Sequence, residues 1–129
     1  MVGIVIVSHS NALAKGIKEI AMQMAPQAKV SVAGGTKDNS IGTDIEKITE
    51  AIMEVYSEDG VLILFDLGSA YMNTEMAIEF LDDDKKEYIS IVDTALVEGA
   101  ITAIVDSSIG KSMDEIKASL SKMKLNKIQ

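Results

Sequence analysis

The sequence has no cysteine, and that one absence removes disulfide frameworks, thiol nucleophiles and thiolate metal sites together. It is in keeping with a reducing compartment, and the cytoplasm is the expected location. No apolar run is long enough to span a bilayer, so no membrane segment is expected. The opening residues MVGIVIV carry neither a basic stretch nor a small-residue cleavage site, so no exported or cleaved leader is expected. Positive charge is in deficit: 12 basic against 20 acidic residues leave a formal net charge of -8. Affinity for phosphate backbones comes from clustered Lys and Arg, so nucleic acid is not an expected ligand, and free nucleotide is disfavoured as well. An acidic surface suits a basic protein partner better. There is a single histidine, His9.

The 129 residues suit one domain, with no internal repeat, linker or low-complexity tract. Four β-rich runs, GIVIVS, KVSVA, GVLILFD and YISIV, alternate with segments of helical period. The pattern predicts an α/β fold with an open, mainly parallel sheet and helices on both faces. Residues 3–8 and 60–66 are almost wholly apolar, as central strands are, whereas 29–33 and 88–92 alternate as edges do. Right-handed crossovers then give the strand order 2-1-3-4.

Leu13, Ile17, Ile20, Ala21 and Met24 mark a first helix ending before Pro26. Thr43 and Glu46 form a candidate capping box for a second, with Ile45, Ile48, Ile52 and Val55 as its apolar stripe. A third is expected over 69–82, followed by the solvated acidic run Asp82 to Asp84. Two more are expected near 95–107 and 113–123, the second starting at Ser112 with Glu115 three residues on. The basic tail KMKLNKIQ is compatible with fraying or with a marginal strand.

In open parallel sheets, ligands gather outside the carboxyl ends of the strands where the strand order reverses. Here that point lies between strands 1 and 3, which end in Ser8-His9-Ser10-Asn11 and Asp66-Leu67-Gly68-Ser69. Neighbouring strands are about 5 Å apart, so a hydrogen bond between His9 and Asp66 is feasible. A neutral imidazole nitrogen is a good nucleophile, and a carboxylate on the other ring nitrogen fixes the tautomer and stabilises the cation formed on attack. His9 and Asp66 are therefore the candidate catalytic pair. Backbone N–H groups near Ser10, Asn11, Gly68 and Ser69 are candidate phosphoryl-binding donors, with Gly35 in the adjoining wall. Each of these residues also has an ordinary use: a strand-end histidine in a loop, Asp66 or Ser69 as a helix cap, the glycines as turn formers.

Rival motifs fit less well. Ile109-Gly110-Lys111-Ser112 matches the end of a P-loop, but Val105 stands where the first glycine is needed and a helix precedes it. No G-x-S-x-G serine elbow occurs. Neither Asp82 to Asp84 nor Asp106 to Ser112 has calcium-loop spacing, so no metal site is expected. A receiver domain would phosphorylate Asp66 with carboxylate-bound magnesium, yet strand 1 lacks the acidic pair that holds the metal.

The segments VIVSHS, IGTD, LFDLGSAYMNTEMAIEFL and LVEGA resemble the phosphotransferase subunits of phosphoenolpyruvate-dependent dihydroxyacetone kinases. These form a branch of the mannose-type enzyme IIA proteins, and the resemblance covers most of residues 1–107. It implies a three-layer fold and a phosphohistidine relay. His9 takes a phosphoryl group from the histidine-phosphorylated carrier protein of the phosphotransferase system (PTS), with Asp66 as partner carboxylate and Gly68 and Ser69 beside the phosphoryl site. The group then passes to ADP on a nucleotide-binding kinase subunit. It also implies a homodimer and no bound cofactor beyond the covalent phosphoryl group. The family usually uses the far ring nitrogen as acceptor. Mannose-type members usually carry a glycine-rich turn with proline after the strand-three aspartate; Asp66-Leu67-Gly68-Ser69-Ala70 departs from it and favours dihydroxyacetone over sugar transport. With no appended carrier-like domain in the sequence, a separate donor protein is expected. The alternative is a PTS-linked regulatory module in which phosphorylation of His9 modulates docking on a kinase or transcription factor.

Overall fold

The computed structural model of the chain describes residues 1–128. Four parallel strands, β1 (Gly3–Ser8), β2 (Val30–Gly34), β3 (Val61–Phe65) and β4 (Ile89–Val92), lie in the order β2-β1-β3-β4. The expected order is the observed one. In the shared register, Ile6 of β1 sits between Val32 of β2 and Leu64 of β3. The two apolar runs are the central strands, buried on both faces as their composition requires.

Side-chain alternation sorts the core into two halves. Ile4, Ile6, Leu62 and Leu64 pack with α1 (Asn11–Met24), α5 (Leu96–Ser108) and α6 (Met113–Leu120) on one face. Val5, Val7, Val61, Ile63 and Phe65 pack with α2 (Ile45–Val55) and α3 (Gly68–Glu79) on the other. The result is a three-layer α/β/α arrangement. Each fully buried Ile or Leu contributes about 2 kcal/mol to it. The helices that follow β1 and β3 lie on opposite faces, so their N-termini flank the rim where the two strands end.

Helix α1 buries Ala14, Ile17 and Ala21, while Leu13, Ile20 and Met24 are exposed. Its apolar residues wrap wider than the face that the sheet covers. Helix α2 starts one residue later than the Thr43–Glu46 box implies. Asp44 is its N-cap, accepting from the Lys47 N–H at 2.9 Å, and Thr43 instead accepts from Asn73 of α3. Helix α3 stops at Glu79, and the acidic run opens a short separate helix, α4 (Asp83–Lys86). Asp82 is extended and breaks the path, while Asp83 and Asp84 meet the positive end of the new dipole. At α6 the Ser112–Glu115 capping box forms in both directions. A 3-10 turn over Ser121–Met123 follows α6.

The tail neither frays nor joins the sheet among the described residues; Gln129 lies outside them. Asp93, just past β4, accepts from the N–H groups of Leu125, Lys127 and Ile128 at 3.4, 2.6 and 3.3 Å.

Gly34 is where the fold meets the rim. A Cβ there would stand 2.6 Å from the Asn11 Cα and 2.9 Å from the Ser10 carbonyl oxygen, both backbone atoms at the start of α1.

Two stability measurements check this account. Gly34→Ala is expected to cost about 2 kcal/mol in urea denaturation, because backbone must move to admit the methyl group. Asp44→Ala is expected to cost about 1 kcal/mol, whereas Glu46→Ala stays within about 0.5 kcal/mol; equal losses would restore the capping box.

Candidate functional site

At the carboxyl ends of β1 and β3, one carboxylate gathers four donors. Asp66 Oδ2 accepts from the His9 N–H at 2.8 Å and from the Ser8 hydroxyl at 3.0 Å. Its Oδ1 accepts from the Leu67 N–H at 2.7 Å and meets His9 Nδ1 at 3.0 Å. An ionised carboxylate can only accept, so Nδ1 carries the proton in this pair and Nε2 carries the lone pair. Nε2 lies 2.7 Å from the Ser69 hydroxyl, which donates to it in that tautomer.

Both side chains are mostly covered, at 21% exposure for His9 and 15% for Asp66. Burial pushes the Asp66 carboxyl up, but the hydrogen bonds from the His9 N–H, the His9 ring, the Leu67 N–H and the Ser8 hydroxyl outweigh it. The carboxyl is held below its ordinary value of about 3.9. Asp66 therefore stays ionised at neutral pH beside the imidazole.

The surrounding groups divide by whether their donors are already used. The backbone donor of Ser10 is used: its N–H donates to the Ser8 hydroxyl, while its own hydroxyl oxygen accepts from the Leu13 N–H as the cap of α1. The Gly35 N–H donates to the Ser8 carbonyl, and its φ of +75° sets the turn after β2. Ser10 and Gly35 thus brace the rim. Asn11, Gly68 and Ser69 occupy the first turns of α1 and α3, where backbone N–H groups have no acceptor within the helix. The structure brings His9, Asp66 and Ser69 into direct contact and sets these helix starts beside them.

Three supporting contacts were not foreseen. Ser8 is wholly buried and links Asp66 to the Ser10 N–H, its only trace in the sequence being its place in the Ser-His-Ser run. The Gly42 N–H holds the His9 carbonyl at 2.9 Å, bringing the IGTD loop over β1. The Lys127 ammonium donates to the Phe65 carbonyl at 2.6 Å, from a tail with no periodic signal.

A half-buried strand-end carboxylate holding Nδ1 of an imidazole, with Nε2 turned toward the first turn of α3, is an arrangement suited to nucleophilic group transfer. The sequence profile of the EIIA-man family, described as PTS system fructose IIA component, matches residues 3–117. The chain belongs to that family of phosphotransferase-system components and, within it, to the DhaM branch. The PTS-dependent dihydroxyacetone kinase, phosphotransferase subunit DhaM, of Lactococcus lactis is 37% identical over 125 residues, covering 97% of this chain and 98% of that protein. The PEP-dependent dihydroxyacetone kinase, phosphoryl donor subunit DhaM, of Providencia stuartii is 40% identical over 120 residues. That match covers 90% of this chain but 25% of the relative, so the chain spans about a quarter of that longer protein. The crystal structure of a protein titled as of unknown function, EF1359, superposes with a TM-score of 0.85 at 34% identity, covering 97% of this chain and 95% of that one.

The depressed carboxyl makes a signed prediction. A lowered folded-state pKa contributes stability that is present above the unfolded value and is lost as pH falls through the folded one. Asp66→Ala is expected to lower stability by about 2 kcal/mol at neutral pH. The gap to the unsubstituted protein should shrink as denaturation is repeated from about pH 6 down to about pH 3. A gap independent of pH would mean that the ionised carboxylate does not stabilise the rim.

Proposed function

We propose that this chain is one phosphotransfer domain, residues 1–129, of a PTS-dependent dihydroxyacetone kinase. In this reading His9 relays a phosphoryl group from the carrier protein of the PTS to ADP held on the kinase's nucleotide-binding subunit. The observation that carries it is the Nδ1–Asp66 contact at 3.0 Å, which leaves the Nε2 lone pair, held by the Ser69 hydroxyl at 2.7 Å, as the nucleophile of the chain's one histidine. The names of the relatives, phosphoryl donor and phosphotransferase subunits, favour transfer over a purely regulatory module.

Chemically the first step is a displacement at phosphorus. The Nε2 lone pair forms the new N–P bond as the bond to the donor imidazole breaks, and the electron pair of that bond returns to the donor ring. Asp66 keeps the Nδ1 proton in place, so His9 becomes cationic beside an anion that stabilises it. The Ser69 hydroxyl gives up its bond to Nε2 and turns to a phosphoryl oxygen, with the first-turn amides of Asn11, Gly68 and Ser69 as further donors. In the second step an oxygen of the terminal phosphate of ADP attacks phosphorus and the N–P electron pair returns to Nε2.

The partners are proteins in this account. Ile41, Leu67 and Leu13 are exposed at 77, 58 and 42% and belong to the loops and helix start around His9. His9 is not among the residues lining the 330 Å³ cavity beside Asn11, Lys15 and Lys47. A carrier protein and a kinase subunit both need such an open apolar rim, and the relay operates in the cytoplasm without a bound cofactor. The protein acts as a homodimer in this reading.

Labelling tests the proposal. With phosphoenolpyruvate and the general phosphotransferase proteins, the chain should acquire an acid-labile, base-stable adduct that His9→Ala abolishes. Asp66→Ala should slow labelling on the order of a hundredfold. The adduct should discharge when the kinase subunit and ADP are added. Label that survives His9→Ala, or an adduct that never reaches ADP, would sink the relay.

A further inference from the structure

At the rim β3 outruns β4 by one residue. Leu64 pairs with Val92 in β4, but Phe65 is paired only with Val7 of β1. Lys127 fills that gap: its Nζ donates to the Phe65 carbonyl at 2.6 Å and stands 4.5 Å from the centroid of the Phe65 ring. The side chain is not what anchors this segment, because Asp93 holds it through three backbone N–H groups. The main chain of Lys127 also passes over the start of α3, its carbonyl oxygen lying 3.5 Å from where a Cβ on Gly68 would be. Lysines ordinarily keep a mobile, hydrated ammonium. Here burial lowers the pKa of Lys127, while the carboxylates of Asp93 and Asp66 favour its charged form. The chain contains no arginine and carries a net charge of -8; Lys127 is the cation fixed at the β3 end of this rim, as Lys47 is on the Gly34 carbonyl at the β2 end.

We propose that Lys127 is a positioning residue for phosphoryl transfer at His9, delivered to the rim by the Asp93-anchored segment 124–128. It acts in two ways. Its ammonium fixes the path of the chain from Phe65 into Asp66. Its charge offsets the anions that accumulate when a phosphoryl group arrives beside the Asp66 carboxylate. The assignment rests on the phosphohistidine reading above, and its test separates the two.

The experiment compares the intact protein with Lys127→Met, which keeps the aliphatic stem and the backbone anchor but removes the charge, and with Lys127→Arg, which retains it. Two quantities are read: the initial rate of His9 labelling by the phosphorylated carrier, and the titration of the Asp66 carboxyl carbon by NMR. Lys127→Met should label on the order of tenfold more slowly, with the Asp66 midpoint moved upward. Lys127→Arg should recover most of the rate, and Asp93→Ala, which releases the segment, should reproduce the loss. Lys127→Met labelling at the unsubstituted rate overturns the assignment. So does a slow variant whose Asp66 titration has not moved and whose rate Lys127→Arg does not restore, since the loss would then be one of packing alone. If the unsubstituted protein takes no label at all, the phosphohistidine reading falls instead, and the Asp66 titration still reports whether the Lys127 charge is felt there.

Discussion

Everything at the rim depends on one carboxylate with four donors. Asp66 ties the exit of β3 to the exit of β1 through the Ser8 hydroxyl and the His9 N–H, and it orients the His9 ring through Nδ1. Two of those donors come from backbone and one from a buried hydroxyl, so the carboxylate is fixed before any partner arrives. Preorganisation of this kind lets the imidazole act efficiently, because little has to be reordered in the transition state. The pairing of β1 with β3 in the order β2-β1-β3-β4 is its precondition, since it sets the strand ends that carry His9 and Asp66 side by side.

The same arrangement accounts for a shallow site on an acidic protein. Two apolar half-cores are consumed by the two sheet faces, and the rim between them is built from loop starts and helix first turns. What is left around His9 is a mixture of exposed apolar side chains and backbone amides. That surface suits a protein that delivers its phosphoryl group on a protruding side chain. Over the whole chain acidic residues outnumber basic ones, 20 to 12, a balance unfavourable to polyanionic ligands in general.

Much of this was legible in the sequence because it rests on local rules. Unbroken apolar runs at 3–8 and 60–66 identified the central strands, and the switch point between them located His9 and Asp66 together. The capping box at Ser112 and Glu115 was legible for the same reason. Other features turn on competition between near-equivalent residues or on distant contacts. Thr43 and Asp44 are both good caps; the Thr43 hydroxyl is taken up by Asn73, and Asp44 does the capping. Leu13, Ile20 and Met24 have helical spacing but exceed the width of the face that the sheet covers. The engagement of the Ser10 and Gly35 N–H groups with Ser8 depends on tertiary geometry, as does the docking of Lys127 some sixty residues from Phe65. No periodicity encodes either.

The central claim is that Asp66 commits His9 to one tautomer and therefore to one acceptor atom. Because the chain has a single histidine, nitrogen-15 labelling of that residue gives one uncrowded set of ring signals. Long-range proton–nitrogen correlation spectra before and after phosphoryl loading distinguish the two nitrogens. The expected result is a proton on Nδ1 in the free protein and coupling of phosphorus to Nε2 in the loaded one. Phosphorus on Nδ1, or loading that leaves both ring nitrogens unshifted, would contradict it.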